Sequence, residues 1–185
     1  MKFGFTLIEI SVTMAILSLV LATVYGVYNL SQKAYITEEN MVEITQNGRV
    51  VFERLSREIR QATEIVTELS DQESLSTSTI MFEDGHIAEP YHYIRYFQDS
   101  SFIKKEVVGF YFSEDQEETL VSWDSVPPPG QVLSIKTIQE AQTIGEYITW
   151  LKFWAPMSGM VNIALNLNKK ENNLRLETKV FGRNF

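Results

Sequence analysis

The chain has 185 residues, 44% of them hydrophobic and 12% aromatic, which is enough for one domain of ordinary size or a smaller domain on a stalk. Its formal net charge of −8 argues against nucleic-acid binding driven by charge, because such proteins are basic. It contains no cysteine, which excludes disulfides, cysteine-based metal sites and thiol catalysis.

The N-terminal segment is long and apolar, and Glu9 is the only charged residue between Phe5 and Val27. This run of about 23 residues would span roughly 35 Å as a helix, enough to cross a bilayer core. A secretory signal peptide has a shorter apolar region behind a more basic start, whereas only Lys2 precedes this run. A plain membrane anchor explains the length and places Lys2 in the cytoplasm. It leaves Glu9 unexplained, since a carboxylate at membrane depth costs a few kcal/mol.

A third interpretation accounts for Glu9. The stretch FGFTLIE, which ends at Glu9, resembles the class III signal of type IV pilin-like proteins. The resemblance implies a leader of residues 1–4, cleavage of the bond between Gly4 and Phe5 by a prepilin peptidase, and N-methylation of Phe5. Gly4 would let the backbone approach the peptidase closely, or it is an incidental turn residue.

Cleavage would give Glu9 a charged partner. The new amine on Phe5 is positive, and an opposite charge favours an ionised carboxylate in lipid or in a filament core. A pair between neighbouring subunits would set their axial register, as a buried polar residue does in a coiled coil. Pairing of Phe5 with Glu9 inside one chain, one helical turn apart, is the alternative.

The apolar run continues as an amphipathic helix, which we expect to extend from about Phe5 to about Val66, roughly 90 Å. Residues 5–28 would lie in lipid or filament core, and residues 29–68 would continue into the head. Spacings of four and three define one helical stripe. The stripe comprises Leu30, Ala34, Thr37, Met41, Ile44, Gly48, Val51, Leu55, Ile59, Ala62 and Val66.

Opposite charges lie four residues apart on the polar side of this helix. The pairs are Glu53 with Arg57, Arg54 with Glu58, and Arg60 with Glu64. Each such pair stabilises a helix by a few tenths of a kcal/mol. We interpret these residues as a solvated face.

From Thr79 onward the pattern has period two, which predicts antiparallel strands. The predicted strands and hairpins are STIMFEDG, YHYIRYFQDSSFIKKEVV with a turn at Asp99–Ser100, TLVSW, QVLSIK, YITWLKFWAP, and MVNIALNLNKKENNLRLETKVFGRN with a turn at NKKENN. The segment Pro127 to Gly130 reads as a stiff exposed loop. A long helix followed by antiparallel strands predicts an α+β fold, with a β-rich head at residues 69–185.

No catalytic or cofactor motif is recognisable. The only histidines, His86 and His92, lie in no metal-binding pattern and are interpreted as ordinary surface or strand residues. The acidic stretch SEDQEE could offer oxygen ligands to Ca²⁺ but lacks the spaced Asp/Asn–Gly loop, so we interpret it as a solvated loop. The sequence predicts no enzyme, no cofactor and no metal site.

The resemblance implies a minor pilin or minor pseudopilin, and the helix and the final strand, which ends at Arg183 and Asn184, are similar to larger W-type minor pilins and J-type pseudopilins. Such a subunit sits in the cytoplasmic membrane with its N-terminus inside and its head outside. A prepilin peptidase processes it, and an inner-membrane assembly platform builds it into a filament with other pilin or pseudopilin subunits. The large head favours a role at the tip or in initiation.

Two machines use such subunits, a type IV pilus and a type II secretion system, and the Asn-Gly-Arg step at residues 47–49 leans towards the pilus. The alternative of another class is a membrane-anchored extracytoplasmic binding domain that keeps its leader. Direct binding of nucleic acid is not expected, although Lys104–Lys105 and Lys169–Lys170 are local basic patches.

Overall fold

The computed structural model describes residues 6–85, 91–157 and 159–182, so the predicted positions Gly4, Phe5, His86, Arg183 and Asn184 lie outside the described residues. Within these ranges one long helix, α1 (Leu7–Gln61), precedes a short 3-10 helix (Glu73–Leu75) and seven strands. The strands are β1 (Thr79–Glu83), β2 (Tyr93–Asp99), β3 (Phe102–Phe112), β4 (Leu133–Gly145), β5 (Ile148–Met157), β6 (Met160–Lys169) and β7 (Asn172–Phe181).

The strands form two antiparallel sheets, ordered β1-β2-β3-β4 and β5-β6-β7. The hairpin predicted to turn at Asp99–Ser100 is present, with Ser100 at a φ of 56°. The final hairpin joins β6 to β7 within NKKENN, and Lys170 has a φ of 57°. The predicted α+β fold and both hairpins are confirmed.

The helix α1 ends at Gln61, earlier than the predicted end near Val66. Ala62 leaves the helical region with φ −56° and ψ 141°, and the next residues run along β1. The Val66 N–H donates to the Met81 carbonyl at 2.9 Å. The β-branched residues of this segment favour extended backbone, and the open side of β1 supplies hydrogen-bond partners that replace another helical turn.

Two strand predictions need correction. TLVSW contributes only an isolated bridge between Val121 and Phe110, because it lies beside the part of β3 that extends past β2. QVLSIK marks only the start of β4, which continues to Gly145. Residues 135–143 of β4 are all exposed on this edge of the sheet, so no alternation of buried and polar residues signalled the strand. Its pairing with β3 contains three register shifts.

Only the C-terminal half of the predicted stripe of α1 faces the core. The buried residues of the helix are Asn40, Ile44, Gly48, Val51, Leu55 and Ile59. Gly48 permits close packing on the second sheet, because a Cβ there would lie 2.4 Å from Leu176 Cδ1. Leu30 and Ala34, on the same stripe, are exposed because the head ends at about the level of Asn40.

The β6–β7 turn holds α1 at the base of the head. Asn172 Nδ2 donates to the Thr37 carbonyl at 3.0 Å. Glu43 accepts a hydrogen bond from the Tyr147 hydroxyl at 2.8 Å and forms an ion pair with Lys169. Lys169 Nζ also lies 4.7 Å from the centroid of the Tyr147 ring. We call Glu43, Tyr147 and Lys169 the base clamp.

The base clamp should make stability depend on pH. The hydrogen bond from Lys169, followed by that from Tyr147, lowers the pKa of Glu43. A carboxyl with a lowered folded-state pKa stabilises the fold above its unfolded pKa, about 4.3 for glutamate, and this contribution is lost as pH falls through the folded pKa. We expect Glu43→Gln to lower the melting temperature at neutral pH and to have little effect near pH 3, as followed by circular dichroism in detergent.

Glu171→Gln is the matched control, because Glu171 is exposed on the neighbouring turn and forms no ion pair within the described residues. Its effect should be small at both pH values. Lys169 keeps its charge throughout, since its hydrogen bond to Glu43 raises the pKa of Lys169. A Glu43→Gln effect of equal size at neutral and acid pH would contradict the electrostatic role of the clamp.

Candidate functional site

The first turn of α1 is closed by Thr6 and Glu9. Thr6 is the N-cap, and its N–H and its hydroxyl each lie 2.9 Å from Glu9 Oε2. The Glu9 N–H donates back to Thr6 Oγ1 at 3.4 Å. This reciprocal capping box satisfies donors at the helix terminus. The structure therefore places Glu9 at the helix start, while the predicted cleavage site at Gly4 and Phe5 lies outside the described residues.

The apolar half of α1 is bare. Leu7, Leu19 and Leu30 are 86%, 67% and 70% exposed. The helix contains an 18-residue window of mean hydropathy 2.2, none of it buried, and it is long and apolar enough by length and composition to cross a membrane. Continuous apolar surface on this scale marks a site of contact with lipid or with protein.

The hydroxyls of this half are satisfied within the helix. They donate to backbone carbonyls: Ser11 to Leu7 at 3.0 Å, Thr13 to Glu9, Ser18 to Met14 at 2.8 Å and Thr23 to Val20 at 2.7 Å. Such bonds make these residues tolerable in lipid without a partner. Glu9 differs, because it is the only charged residue between Thr6 and Gln32.

A buried ion cluster joins α1 to the first sheet. Glu58 accepts a hydrogen bond from the Tyr96 hydroxyl at 2.6 Å and pairs with Lys105 Nζ at 2.8 Å and Arg54 Nε at 3.4 Å. The Glu58 and Lys105 side chains are only 10% and 15% exposed. Burial, and then the hydrogen bond to Glu58, raises the pKa of Tyr96, which keeps the hydroxyl protonated as a donor. The interpretation of Glu58 as part of a solvated face is wrong.

The local basic patches are largely neutralised by carboxylates. Their ion pairs are Lys104 with Asp99, Lys105 with Glu58, and Lys169 with Glu43. Nucleic-acid binding depends on cations that are free to meet phosphates. These lysines therefore offer little to a nucleic acid.

The acidic stretch SEDQEE forms a turn that uses its own carboxylates. Asp115 accepts the backbone N–H groups of Thr119 at 2.9 Å and Glu117 at 3.0 Å, and these bonds lower the pKa of Asp115. Glu118 pairs with Lys136 at 2.6 Å. In the described parts of the chain no group of three or more acidic or histidine side chains could hold a metal ion.

Sequence reasoning missed the base of the head. Neither the hydrogen bond from Asn172 to the helix nor the base clamp was predicted, because both join segments far apart in the chain. The available signal was Asn40, a polar residue four positions before Ile44 on the buried side of the helix. Its burial marks the level at which the helix enters the head.

Comparison with protein families finds the prokaryotic N-terminal methylation motif at residues 1–25. The chain has no significant match among curated proteins or among solved structures. The matched residues contain the predicted leader, the Gly4–Phe5 bond, Glu9 and the first turns of α1. They include residues 7–25, which form much of the bare apolar part of α1. The predicted resemblance is therefore confirmed, and the chain carries the class III prepilin signal of type IV pilin-like proteins ahead of a long N-terminal helix.

Proposed function

We propose that the chain is a minor pilin or minor pseudopilin, a structural subunit of a type IV pilus-like filament that acts in assembly initiation or at the tip. It enters the cytoplasmic membrane with its N-terminus inside and its head outside. A prepilin peptidase removes residues 1–4, and an inner-membrane assembly platform adds the processed chain to other pilin-like subunits. The chain works by packing and not by catalysis.

The length of the bare helix is the observation that carries this proposal. About 33 residues of α1 precede Asn40, roughly 50 Å of helix, whereas a bilayer core is about 30 Å thick. Lipid alone therefore leaves part of the stalk uncovered. That part carries large apolar side chains, since Tyr35 is 67% and Ile36 is 44% exposed. Helices of neighbouring subunits would cover both the stalk and the former membrane segment in a filament.

The minor role rests on the size of the head, which holds two sheets and seven strands within the described residues. A head of this size fits a subunit that lies on the surface or at the end of a filament better than one that repeats along the whole filament. The role requires a low copy number relative to a partner subunit. Genes beside that of this chain would separate a pilus from a type II secretion machine.

Processing is the decisive test. The full chain is co-expressed with a prepilin peptidase, and the mass of its N-terminal peptide is measured. We expect loss of residues 1–4 and one methyl group on Phe5. Gly4→Val should stay uncut, because a branched side chain holds the backbone away from the peptidase.

Gly26→Ala serves as the matched control, since a Cβ at Gly26 meets nothing within 4 Å. That variant should be cut and methylated like the parent chain. An uncut leader in cells whose peptidase processes another prepilin would contradict the proposal. It would return the chain to the class of anchored extracytoplasmic binding domains.

A further inference from the structure

A small groove at the base of the head lies between α1 and the β6–β7 hairpin. It has a volume of about 260 Å³, and its lining includes Lys33, Thr37 and Asn40 of the helix and Lys170 and Asn172 of the hairpin. The hydrogen bond from Asn172 Nδ2 to the Thr37 carbonyl, at 3.0 Å, joins the two walls. We call it the base groove. Because one wall is helix and the other is bonded to it, the fold fixes the shape of the groove.

Two amide side chains of the base groove have unused hydrogen-bonding capacity. Asn40 is only 7% exposed, yet its side chain forms no hydrogen bond within the described residues. Asn172 is 8% exposed and donates through Nδ2, but its Oδ1 atom accepts no hydrogen bond from the described part of the chain. Neither amide is wholly sealed from solvent, so both are reachable from the groove. Since a nearly buried polar group without a partner is costly, a polar ligand that enters the groove is favoured.

The base groove also carries charges that the fold leaves unpaired. Lys33 and Lys170 are exposed, and among the described residues neither forms an ion pair. The neighbouring Lys169 differs, because Glu43 pairs with it. Glu171 also lines the groove and has no ion-pair partner in the described ranges. Two ammonium groups beside one carboxylate and two amides suit a ligand that has an anionic group and a cationic group close together.

The height of the base groove along α1 limits which ligand can reach it. The apolar run of the helix ends at Leu30, and Tyr25 and Tyr28 near this end are of a residue type that favours the membrane interface. Lys33 follows about 5 Å further along the helix. Because side chains of a helix point back towards its N-terminus, the Lys33 ammonium lies at headgroup level when the apolar run is in lipid. The lower end of the groove then opens into the headgroup layer.

We infer that the base groove binds the headgroup of a phospholipid in the outer leaflet of the membrane, a phosphodiester that carries a primary amine. Lys33 and Lys170 contact the phosphate, and the Asn40 amide donates a hydrogen bond to it. Glu171 and the Asn172 Oδ1 atom accept hydrogen bonds from the amine. Donors and acceptors of the groove are thus matched by one headgroup.

The lipid site goes beyond the proposed function and rests on one part of it, insertion in the membrane with the head outside. A lipid bound at this point connects the bilayer surface to both α1 and the β6–β7 hairpin. It therefore fixes the height and the rotation of the head above the membrane before the subunit is taken into a filament. Removal of the subunit from the membrane requires that this headgroup be released.

Native mass spectrometry of the full chain tests the site. The chain is inserted into nanodiscs of equal parts phosphatidylethanolamine, phosphatidylglycerol and phosphatidylcholine and released into mild detergent, and its mass is measured with the lipids that it retains. We expect phosphatidylethanolamine to be retained at least about fivefold more than either other lipid, because phosphatidylglycerol lacks the amine and phosphatidylcholine has no N–H donor. Lys33→Gln with Lys170→Gln should lower this retention at least about fivefold, because both contacts to the phosphate are lost.

Asn40→Leu separates binding from folding. The replacement removes an amide that has no partner within the described residues, and the groove has room for leucine, so the melting temperature should stay the same or rise. Retention of phosphatidylethanolamine should nevertheless fall at least about threefold, because the phosphate loses a donor.

Arg49→Gln with Lys179→Gln is the matched control for the double lysine variant. Both residues are exposed, lie outside the base groove and form no ion pair in the part of the chain that the structure describes, and the change in charge is the same. Lipid retention by this variant should equal that of the parent chain.

Equal retention of the three lipids would overturn the inference, as would a retention indifferent to the lysine and Asn40 replacements. Soluble phosphoethanolamine and inorganic phosphate, added in separate runs at the concentration of the lipid, distinguish the source of the ligand. We expect neither to displace the lipid, and displacement by either would assign the groove to a free phosphate. An uncut leader with the lipid preference intact would overturn the proposed function alone. A processed chain without the preference would overturn the inference alone.

Discussion

Glu58→Ala is expected to lower the free energy of unfolding of the head by about 3 kcal/mol, near the lower end of the values for breaking a buried ion pair. The replacement leaves the Lys105 ammonium nearly buried without its carboxylate. It also leaves the Tyr96 hydroxyl, in a residue with no exposed surface, without the acceptor it has at 2.6 Å. Both penalties fall on the contact between α1 and the first sheet. Urea unfolding of the detergent-solubilised chain, followed by tryptophan fluorescence, measures the loss.

Glu53→Ala is the matched control on the same helix, because Glu53 is exposed and unpaired in the described part of the chain. Its effect should stay within about 0.5 kcal/mol. Replacing the two charges and the buried hydroxyl together, Glu58→Leu with Lys105→Met and Tyr96→Phe, should restore most of the stability, since apolar groups of similar volume often replace a buried pair at little cost and no buried donor is then left without an acceptor. Equal effects of Glu58→Ala and Glu53→Ala would contradict the anchoring role of the cluster.

Glu9→Gln is expected to leave cleavage intact and to lower incorporation into filaments at least about tenfold, equivalent to about 1.4 kcal/mol. Glutamine keeps the length and a hydrogen-bond acceptor for Thr6 but removes the charge. A carboxylate at this depth costs a few kcal/mol unless a cation accompanies it, which is the role proposed for the amine of a neighbouring subunit. The measurement is the ratio of processed chain in sheared filaments to processed chain in membranes.

Ser11→Ala is the control for this helix. The Ser11 hydroxyl already donates to the Leu7 carbonyl at 3.0 Å, so it needs no acceptor on a neighbouring subunit. Its incorporation should be unchanged. Thr6→Val removes the side-chain half of the capping box but keeps the charge of Glu9. If Thr6→Val reproduced the Glu9→Gln defect, the carboxylate would act as a helix cap and not as a partner of another subunit.

The elements with strong local patterns were predictable from sequence. The stripe through Ile44, Val51 and Leu55 is a helical period, and NKKENN is a polar turn between two alternating runs. The environment of Glu58 was not predictable. Its partner Arg54 lies one turn away and suggested a solvated pair, whereas Tyr96 and Lys105 are 38 and 47 residues distant in sequence. Only the tertiary fold brings them to one helix position.

In the candidate site, too, features with a local sequence pattern were predictable, whereas features that depend on the tertiary fold were not. The methylation signal, with Gly4, Phe5 and Glu9, could be recognised from sequence because its residues lie close together near the N-terminus. The capping box between Thr6 and Glu9 follows from a spacing of three but needs a helix start to exist. Arg57 and Arg60 are exposed, as expected for a solvated face, but neither forms its predicted ion pair with Glu53 or Glu64 within the described residues.

The three register shifts between β3 and β4 affect whether neighbouring heads can associate through the exposed edge of β4. An exposed edge strand of 13 residues is a template onto which another molecule can add its own backbone. Bulges and a lysine such as Lys136 interrupt that template, because they twist the edge and place a charge beside it. If β4 were straightened into continuous register, heads crowded at a membrane could join edge to edge. The register shifts of β4 therefore protect the subunit from aggregation before assembly.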